Sequence, residues 1–184
     1  MRVLVACEMS GIVREAFRKR GHDAYSCDII SNESDYHIHD DVLKHLNEEW
    51  DMMIAHPPCT RLCNSGVRWL NERNLWGELE KAIGFFNQLK NADIDKICVE
   101  NPIPHKYAKQ GIGEYTQIIQ PWMFGHGETK ATCLWLKNLP KLEPTNIVNG
   151  REARIHNIPP SKDRGMIRSI TFQGIADAMA EQWG

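Results

Sequence analysis

The chain has 184 residues, and its 22 Lys and Arg against 24 Asp and Glu give a formal net charge of −2. A chain of this length forms one domain, residues 1–184, with a hydrophobic core that needs no metal or disulfide to support it. The near-neutral charge excludes a protein that holds nucleic acid through an overall basic surface. Any contact with nucleic acid therefore has to rest on a local patch.

Six cysteines occur in a sequence without a secretory signal, a lipidation signal or a long apolar segment. This pattern favours reduced thiols in the cytoplasm over a disulfide framework, and we expect no association with a membrane. Cys59 and Cys63, and likewise His37 and His39, have spacings that metal sites use. No second Cys pair completes such a site, so we expect no metal.

The first forty residues have the pattern of a β-α-β unit. An apolar run over 2–7 predicts a strand, and apolar residues at helical spacing over 12–17 predict a helix after the turn at Ser10-Gly11. A second strand is predicted over 24–29, and it ends near Asp28.

The alternation of helices and strands continues beyond this unit. A short helix is predicted over 42–46 and a strand over 51–55, which Pro57-Pro58 ends. An amphipathic helix over 75–89 then precedes a strand over 97–99. This order predicts the α/β class, with a doubly wound, mostly parallel sheet joined by right-handed crossovers.

The second half of the chain has weaker patterns. Residues 102–127 lack clear periodicity and predict mostly loop, with one short helix near 115–119. A strand is predicted over 131–136, and a closing helix over 173–183. We expect the segment between them, residues 142–168, to be irregular.

Chemically useful side chains fall at the carboxyl ends of the predicted strands, namely Ser10, Asp28, Cys59 and Glu100. Open parallel sheets bind ligands at this edge, so we expect these residues to share one cleft. Ser10-Gly11 has two interpretations. It either lets the backbone approach a ligand at the start of a helix or forms a tight turn without a ligand. Asp28 has the position of an acid that binds ribose hydroxyls.

Cys59 follows two prolines, which stiffen the strand exit and fix the direction of its thiol. The alternative is a small buried hydrophobic residue. His56 and Arg61 would favour the thiolate, which is the form that attacks. Glu100 either caps the next turn or lies in the cleft, where burial would raise its pKa and let it bond a pyrimidine ring nitrogen.

Four segments stand out by their order and spacing: Val5 to Gly11, Cys27-Asp28, Pro57-Pro58-Cys59 and Glu100-Asn101-Pro102. They resemble the first catalytic motifs of cytosine-5 DNA methyltransferases, over roughly residues 3–102. The sequence departs from that family in its first motif, which is less rich in glycine, and in Pro102, where the family has valine. The family's large target-recognition domain has no counterpart.

The resemblance implies a Rossmann-like fold of the S-adenosylmethionine-dependent methyltransferase type, with Cys59 as nucleophile and Glu100 as its acid partner. S-adenosylmethionine is the implied cofactor. The residues implied to bind it are Ala6, Glu8, Ser10, Gly11, Asp28, Asp41 and Pro57. Asp40 is an equal alternative to Asp41. The implied substrate contacts are Arg61, Asn101 and Arg154. Arg151, Arg164 and Arg168 are alternatives to Arg154 as the arginine that binds the pyrimidine.

The implied reaction begins with attack of Cys59 on carbon 6 of cytosine, while Glu100 bonds ring nitrogen 3. Carbon 5 then accepts the methyl group of S-adenosylmethionine. The expected partner is DNA, either single-stranded or read with little sequence selectivity, because few residues remain to contact base edges. Two alternatives are an enzyme that modifies free cytosine nucleotides and a catalytically silent protein that binds cofactor or DNA. The oligomeric state stays open.

Overall fold

The computed structural model describes all residues, 1–184, and contains seven strands, seven α-helices and three short 3-10 helices over Val42–Lys44, Asn64–Gly66 and Pro121–Met123. The strands are β1 Arg2–Ala6, β2 Asp23–Asp28, β3 His37–His39, β4 Met52–Ala55, β5 Lys96–Pro102, β6 Gln117–Ile119 and β7 Thr132–Lys137. The helices are α1 Ile12–Lys19, α2 Trp69–Glu72, α3 Trp76–Lys90, α4 Lys106–Ile112, α5 Arg154–Asn157, α6 Arg164–Ser169 and α7 Gln173–Trp183.

All seven strands form one sheet in the order β3-β2-β1-β4-β5-β7-β6. The first five strands of this order are parallel, while β7 runs antiparallel to both of its neighbours. The central strands β1 and β4 are apolar on both faces, and residues 3–6 and 52–55 have no exposed surface. Strands buried on both faces are typical of doubly wound sheets. The predicted α/β class and mostly parallel sheet are therefore confirmed.

A hydrophobic core lies on each face of the sheet. Phe86 and Leu89 of α3 pack into one core, and Phe17 of α1 and Met179 of α7 pack into the other. These four side chains are fully buried. Helices cover both cores, so the faces of the central strands are closed to a ligand. A ligand at the sheet edge would meet the loops that follow these strands.

The second half of the chain differs from the prediction. Residues 117–119 form strand β6, which pairs with β7, so the short helix predicted near 115–119 is wrong. A helix, α4, lies earlier instead. The side chain of His105 accepts a hydrogen bond from Ala108 N at its start, and Gly113, with φ 84°, ends it. Residues 142–168 contain the short helix α5 and most of α6, where we expected only irregular structure.

None of the helices is both long and apolar enough to cross a bilayer. Nor do any three His, Cys, Asp or Glu side chains come together in an arrangement that would hold a metal ion.

Candidate active site

The loops that follow β1, β2 and β4 border one cavity of about 1220 Å³. Its lining includes several predicted site residues: Glu8, Ser10, Asp28, Asp41, Pro57 and Cys59. The remaining predicted residues, which are Ala6, Gly11, Arg61, Glu100, Asn101 and Arg154, do not form part of the lining. The sheet edge therefore brings together the expected nucleophile and most of the expected cofactor contacts.

The first turn is held by a buried carboxylate. Glu8 accepts hydrogen bonds from Val13 N at 2.8 Å and Arg14 N at 3.3 Å, so it caps the start of α1. Its neighbour Ala6 is fully buried, and the Ala6 carbonyl accepts a hydrogen bond from His56 N at 2.9 Å. Both residues shape the turn, and Ser10 is the polar side chain that the turn presents to the cavity.

Gly11 has φ 73°, a left-handed conformation that favours glycine. A Cβ at this position would also collide with the guanidinium of Arg14. That guanidinium is buried and donates to Ser26 Oγ at 2.7 Å, which ties α1 to β2. Gly11 is therefore required for the turn and for its packing against Arg14.

The acidic end of the cavity contains Asp28 and Asp41. Asp28 Oδ1 accepts from Ile30 N at 2.9 Å, and Asp41 Oδ1 accepts from Leu43 N at 3.0 Å, which leaves each Oδ2 free. Asp40 differs, because hydrogen bonding to Lys44 at 2.7 Å is the main cause that lowers the pKa of Asp40 to about 2. Asp41 is therefore more available to a ligand than Asp40.

The loop after Pro57-Pro58 is tightly held. The amides of Leu62 and Cys63 donate to the Cys59 carbonyl at 2.9 and 3.0 Å, forming one helical turn. A Cβ at Gly66 would collide with the Thr60 carbonyl, so glycine permits this close approach. Arg61 does not line the cavity, and its Nε donates to Glu78 at 2.7 Å. Cys59 thus has a fixed position on a rigid turn.

Cys59 and Cys63 both line the cavity, and their thiols are in hydrogen-bonding contact. This contact and burial raise the pKa of Cys59 well above that of an ordinary thiol. The same contact, assisted by Ser65, lowers the pKa of Cys63 to about 5. His56 and Arg61 are not among the groups that shift the pKa of Cys59, and the cation that favours its thiolate is Arg168.

Glu100 lies behind His56, and its Oε2 is 3.1 Å from His56 Nδ1. Burial alone would raise the pKa of Glu100, but the charge and hydrogen bond of His56, with a smaller effect of Lys130, outweigh burial and lower it. The expectation of a protonated Glu100 is therefore corrected to a carboxylate paired with imidazolium. Glu100 Oε1 and His56 Nε2 are buried without a hydrogen-bond partner.

Two other expected substrate contacts have different surroundings. Asn101 is buried, and its Nδ2 donates to the Pro102 carbonyl at 2.5 Å. Arg154 is 68% exposed and pairs with Glu128 at 2.5 Å and with Glu152 at 3.3 Å. Neither residue lines the cavity, so neither contacts a ligand there in this arrangement.

The lysine and arginine side chains that line the cavity are those of Lys130 and Arg168. Positive charge at Arg168 favours the Cys59 thiolate, although it does not overcome burial and Cys63. Lys130 Nζ donates to the Ile170 carbonyl at 3.1 Å, and burial lowers its pKa. The sequence offered Arg168 only as an alternative to Arg154, and no motif sets Lys130, which precedes β7, apart from other lysines.

The chain was compared with protein-family models, curated proteins and solved structures. No family model and no curated protein matches it. A solved protein described as a DNA modification methyltransferase encoded within an E. coli prophage is 15% identical, with a TM-score of 0.51 over 80% of this chain and 52% of that chain. The Entamoeba histolytica methyltransferase EhMeth is 14% identical, with a TM-score of 0.53 over 80% of this chain and 57% of that chain.

The chain thus spans little more than half the length of these two solved proteins. Identities this low establish a likeness of fold. Together with the seven-stranded sheet, they show that the chain has an α/β fold of the Rossmann-like methyltransferase type.

Proposed function

We propose that this chain is an S-adenosylmethionine-dependent methyltransferase that methylates carbon 5 of cytosine in DNA, with Cys59 as nucleophile. One observation carries the proposal. Cys59, fixed by Pro57-Pro58, lines the same cavity as Asp28 and Asp41, at the strand ends where this fold class binds its ligands. A cysteine thiol beside the edge where a nucleoside cofactor would bind is the arrangement that covalent methyl transfer to a pyrimidine requires.

The residues at the acidic end fit S-adenosylmethionine. The free Oδ2 atoms of Asp28 and Asp41 are suited to the ribose hydroxyls and the adenine amino group, and the Ile29 and Val42 side chains beside them are apolar. Ser10 also lines the cavity, and its hydroxyl is suited to the amino-acid part of the cofactor. When bound, this cofactor supplies an electrophilic methyl group.

The cavity also has room for a base. Sites for small molecules usually measure roughly 300–1,000 Å³, and this cavity of about 1220 Å³ exceeds that range. A cofactor at the Asp28 end leaves the Cys59 end free for a pyrimidine. A cytosine taken from duplex DNA would have to be flipped out of the stack to reach Cys59.

Several side chains of the cavity and its surroundings would act on the cytosine ring, each in a different way. Cys59 adds to carbon 6, which makes carbon 5 nucleophilic. His56, kept protonated by Glu100, has its Nε2 free of protein partners and donates to ring nitrogen 3. Glu100 therefore serves as acid partner through His56. Lys130 and Arg168 add positive charge beside Cys59, where the pyrimidine carbonyl or a phosphate would lie.

A second candidate is the modification of free cytosine nucleotides. The formal charge of −2 supports it, because such a chain attracts polyanionic DNA weakly. A nucleotide needs only the local cations Lys130 and Arg168, which line the cavity.

One assay tests both candidates. Purified protein is incubated with methyl-labelled S-adenosylmethionine and, separately, with duplex DNA, single-stranded DNA and cytidine nucleotides. Transfer to carbon 5 of cytosine in either DNA supports the first proposal, and transfer to nucleotides alone supports the second. Absence of transfer to all three substrates, under conditions where calorimetry shows the cofactor bound, would contradict both.

A further inference from the structure

Residues 154–170, which we call the flap, border the cavity without belonging to either hydrophobic core. The flap contains α5 and α6, and none of its residues is buried. Ile155, Met166 and Arg168 nevertheless line the cavity. Helices of four and six residues are not stable in water by themselves. The position of the flap therefore depends on its contacts with the rest of the chain.

Two hydrogen bonds join the flap to the segment that precedes β7, one at each end of the flap. At its first residue, Arg154 Nη2 donates to Glu128 Oε1 at 2.5 Å. At its last residue, the Ile170 carbonyl accepts from Lys130 Nζ at 3.1 Å. Because Glu128 and Lys130 are two residues apart, both ends of the flap are anchored to the same short segment.

Glu128 is a rigid anchor. It is only 7% exposed, and the backbone on either side of it is paired with Glu152. Glu152 N donates to the Gly127 carbonyl, and Thr129 N donates to the Glu152 carbonyl, both at 2.9 Å. A Cβ on Gly127 would lie 3.1 Å from Gly150 Cα, so these glycines permit the two segments to approach closely. A buried carboxylate needs a charged partner, and the first residue of the flap supplies it.

The side chains that the flap brings to the cavity are suited to a ligand that carries both apolar and anionic groups. Met166 and Ile170 line the cavity and are 44% and 38% exposed, so a ligand would cover apolar surface there. Arg168 lines the same cavity as Cys59 and forms no ion pair within the chain. Closure of the flap on a ligand would therefore add contacts that an open flap cannot make.

We propose that Glu128 is a positioning residue that holds the flap closed through Arg154, so that Met166 and Arg168 meet the substrate. The part of this inference that concerns substrate rests on the proposed function. Glu128 does not line the cavity and would not touch the substrate itself. Without its contact to Arg154, the flap would be closed in only a fraction of the molecules, and substrate affinity would fall by that fraction.

Hydrogen–deuterium exchange of the free protein tests the contact without any substrate. Glu128→Gln keeps the size of the side chain and removes its charge. Amide exchange in residues 154–170 should become roughly tenfold faster, as expected for the loss of a hydrogen bond between charged groups. The matched control is Glu152→Gln, because Glu152 contacts Arg154 at 3.3 Å but is 67% exposed, and exposed pairs contribute little. No acceleration in Glu128→Gln, or equal acceleration in both variants, would overturn the proposal.

Arg154→Gln removes the same contact from its exposed side, since the Arg154 side chain is 68% exposed. This variant keeps the proposal testable if Glu128→Gln does not fold. It should accelerate exchange in the flap to the same extent as Glu128→Gln, and the double variant should be no faster than either single one. Additive effects of the two changes would show that Glu128 does not act through Arg154.

Steady-state kinetics tests the positioning role. Arg154→Gln should raise the KM for the cytosine substrate roughly tenfold and leave kcat within about twofold, because fewer free molecules are closed while the bound complex is unchanged. Calorimetry should show unchanged binding of S-adenosylmethionine. Faster exchange in the flap with an unchanged KM would overturn the positioning role. Faster exchange without methyl transfer to any cytosine by wild type would contradict the proposed function and retain the Glu128–Arg154 contact.

Discussion

His56 Nδ1 and Glu100 Oε2 lie 3.1 Å apart because β4 and β5 are parallel neighbours in which Ala55 stands opposite Val99. His56 and Glu100 are the residues that follow this pair, so their side chains stand beside each other. Both side chains are nearly buried, at 12% and 13% exposed. A buried ion pair needs further hydrogen bonds to offset desolvation, yet each partner here retains one polar atom without a bond. This is the arrangement expected of a pair that waits for a ligand.

The pair predicts how stability depends on pH. The pKa of Glu100 is lowered, so its contribution is present above the unfolded value of about 4.3 and is lost as pH falls below it. The pKa of His56 is raised, so its contribution is present below about 6.5 and is lost as pH rises through the folded value. Glu100→Gln should therefore cost most between about pH 4.3 and 6.5, by about 3 kcal/mol. Urea unfolding at a series of pH values measures this cost.

A matched control for this experiment is Glu114→Gln, because Glu114 pairs with Lys109 at 2.9 Å on the surface and is 75% exposed. Exposed pairs contribute roughly 0–1 kcal/mol, so this variant should change stability little at any pH. Equal losses in both variants, or a loss in Glu100→Gln that ignores pH, would show that the buried pair is not ionised.

The cofactor proposal predicts the effect of changing Asp28. Asp28→Ala should weaken binding of S-adenosylmethionine roughly 10- to 100-fold, because it removes charged hydrogen bonds to the ligand. Asp23→Ala is the control, since Asp23 lies at the opposite end of β2, where its neighbour is Arg2 at 3.8 Å. Isothermal titration calorimetry compares the variants. If both variants bind as tightly as wild type, the cofactor does not contact Asp28.

Much of this site could be predicted from the order of the apolar segments in the sequence. The strand predicted over 24–29 ended near Asp28, and the strand predicted over 51–55 ended shortly before Cys59, so both residues were placed at one edge without knowledge of any contact. The Pro57-Pro58 signal was local and was read correctly as the end of β4. Features that depend on a single chain segment are those that sequence patterns record well.

Features that depend on the pairing of distant segments could not be predicted from local sequence patterns. The contact of His56 with Glu100 requires the register of β4 against β5, which no local pattern encodes. Strand β6 has three residues, too few for a period, and forms only because β7 is its partner. Arg168 enters the cavity from α6, a helix of six residues with no buried residue and hence no apolar stripe. Contacts between distant segments of the chain therefore determine the parts of the site that the sequence did not predict.

DNA binding should be weak and strongly dependent on salt, because the chain has a net charge of −2 and only local cations can contact phosphate. If Arg168 is such a contact, Arg168→Ala should reduce the slope of log affinity against log salt by roughly 0.7–0.9. Arg154→Ala should leave the slope unchanged, since Arg154 pairs with Glu128 and Glu152 outside the cavity. Fluorescence anisotropy at several salt concentrations distinguishes the two. Tight binding that ignores salt would contradict this prediction.

Replacement of Cys59 is the most direct test of the nucleophile. Cys59→Ser should abolish methyl transfer while leaving the fold and cofactor binding nearly unchanged, because the two side chains are close in size and a hydroxyl is a far weaker nucleophile.

With 5-fluorocytosine as substrate, wild type should form a stable covalent adduct, since fluorine cannot leave carbon 5 as a proton does. Mass spectrometry should place this adduct on Cys59, and Glu100→Gln should form it more slowly because His56 loses the carboxylate that keeps it protonated. Circular dichroism and calorimetry would show whether Cys59→Ser remains folded and binds cofactor. Normal turnover by Cys59→Ser, or an adduct on Cys63, would remove Cys59 from the role of nucleophile.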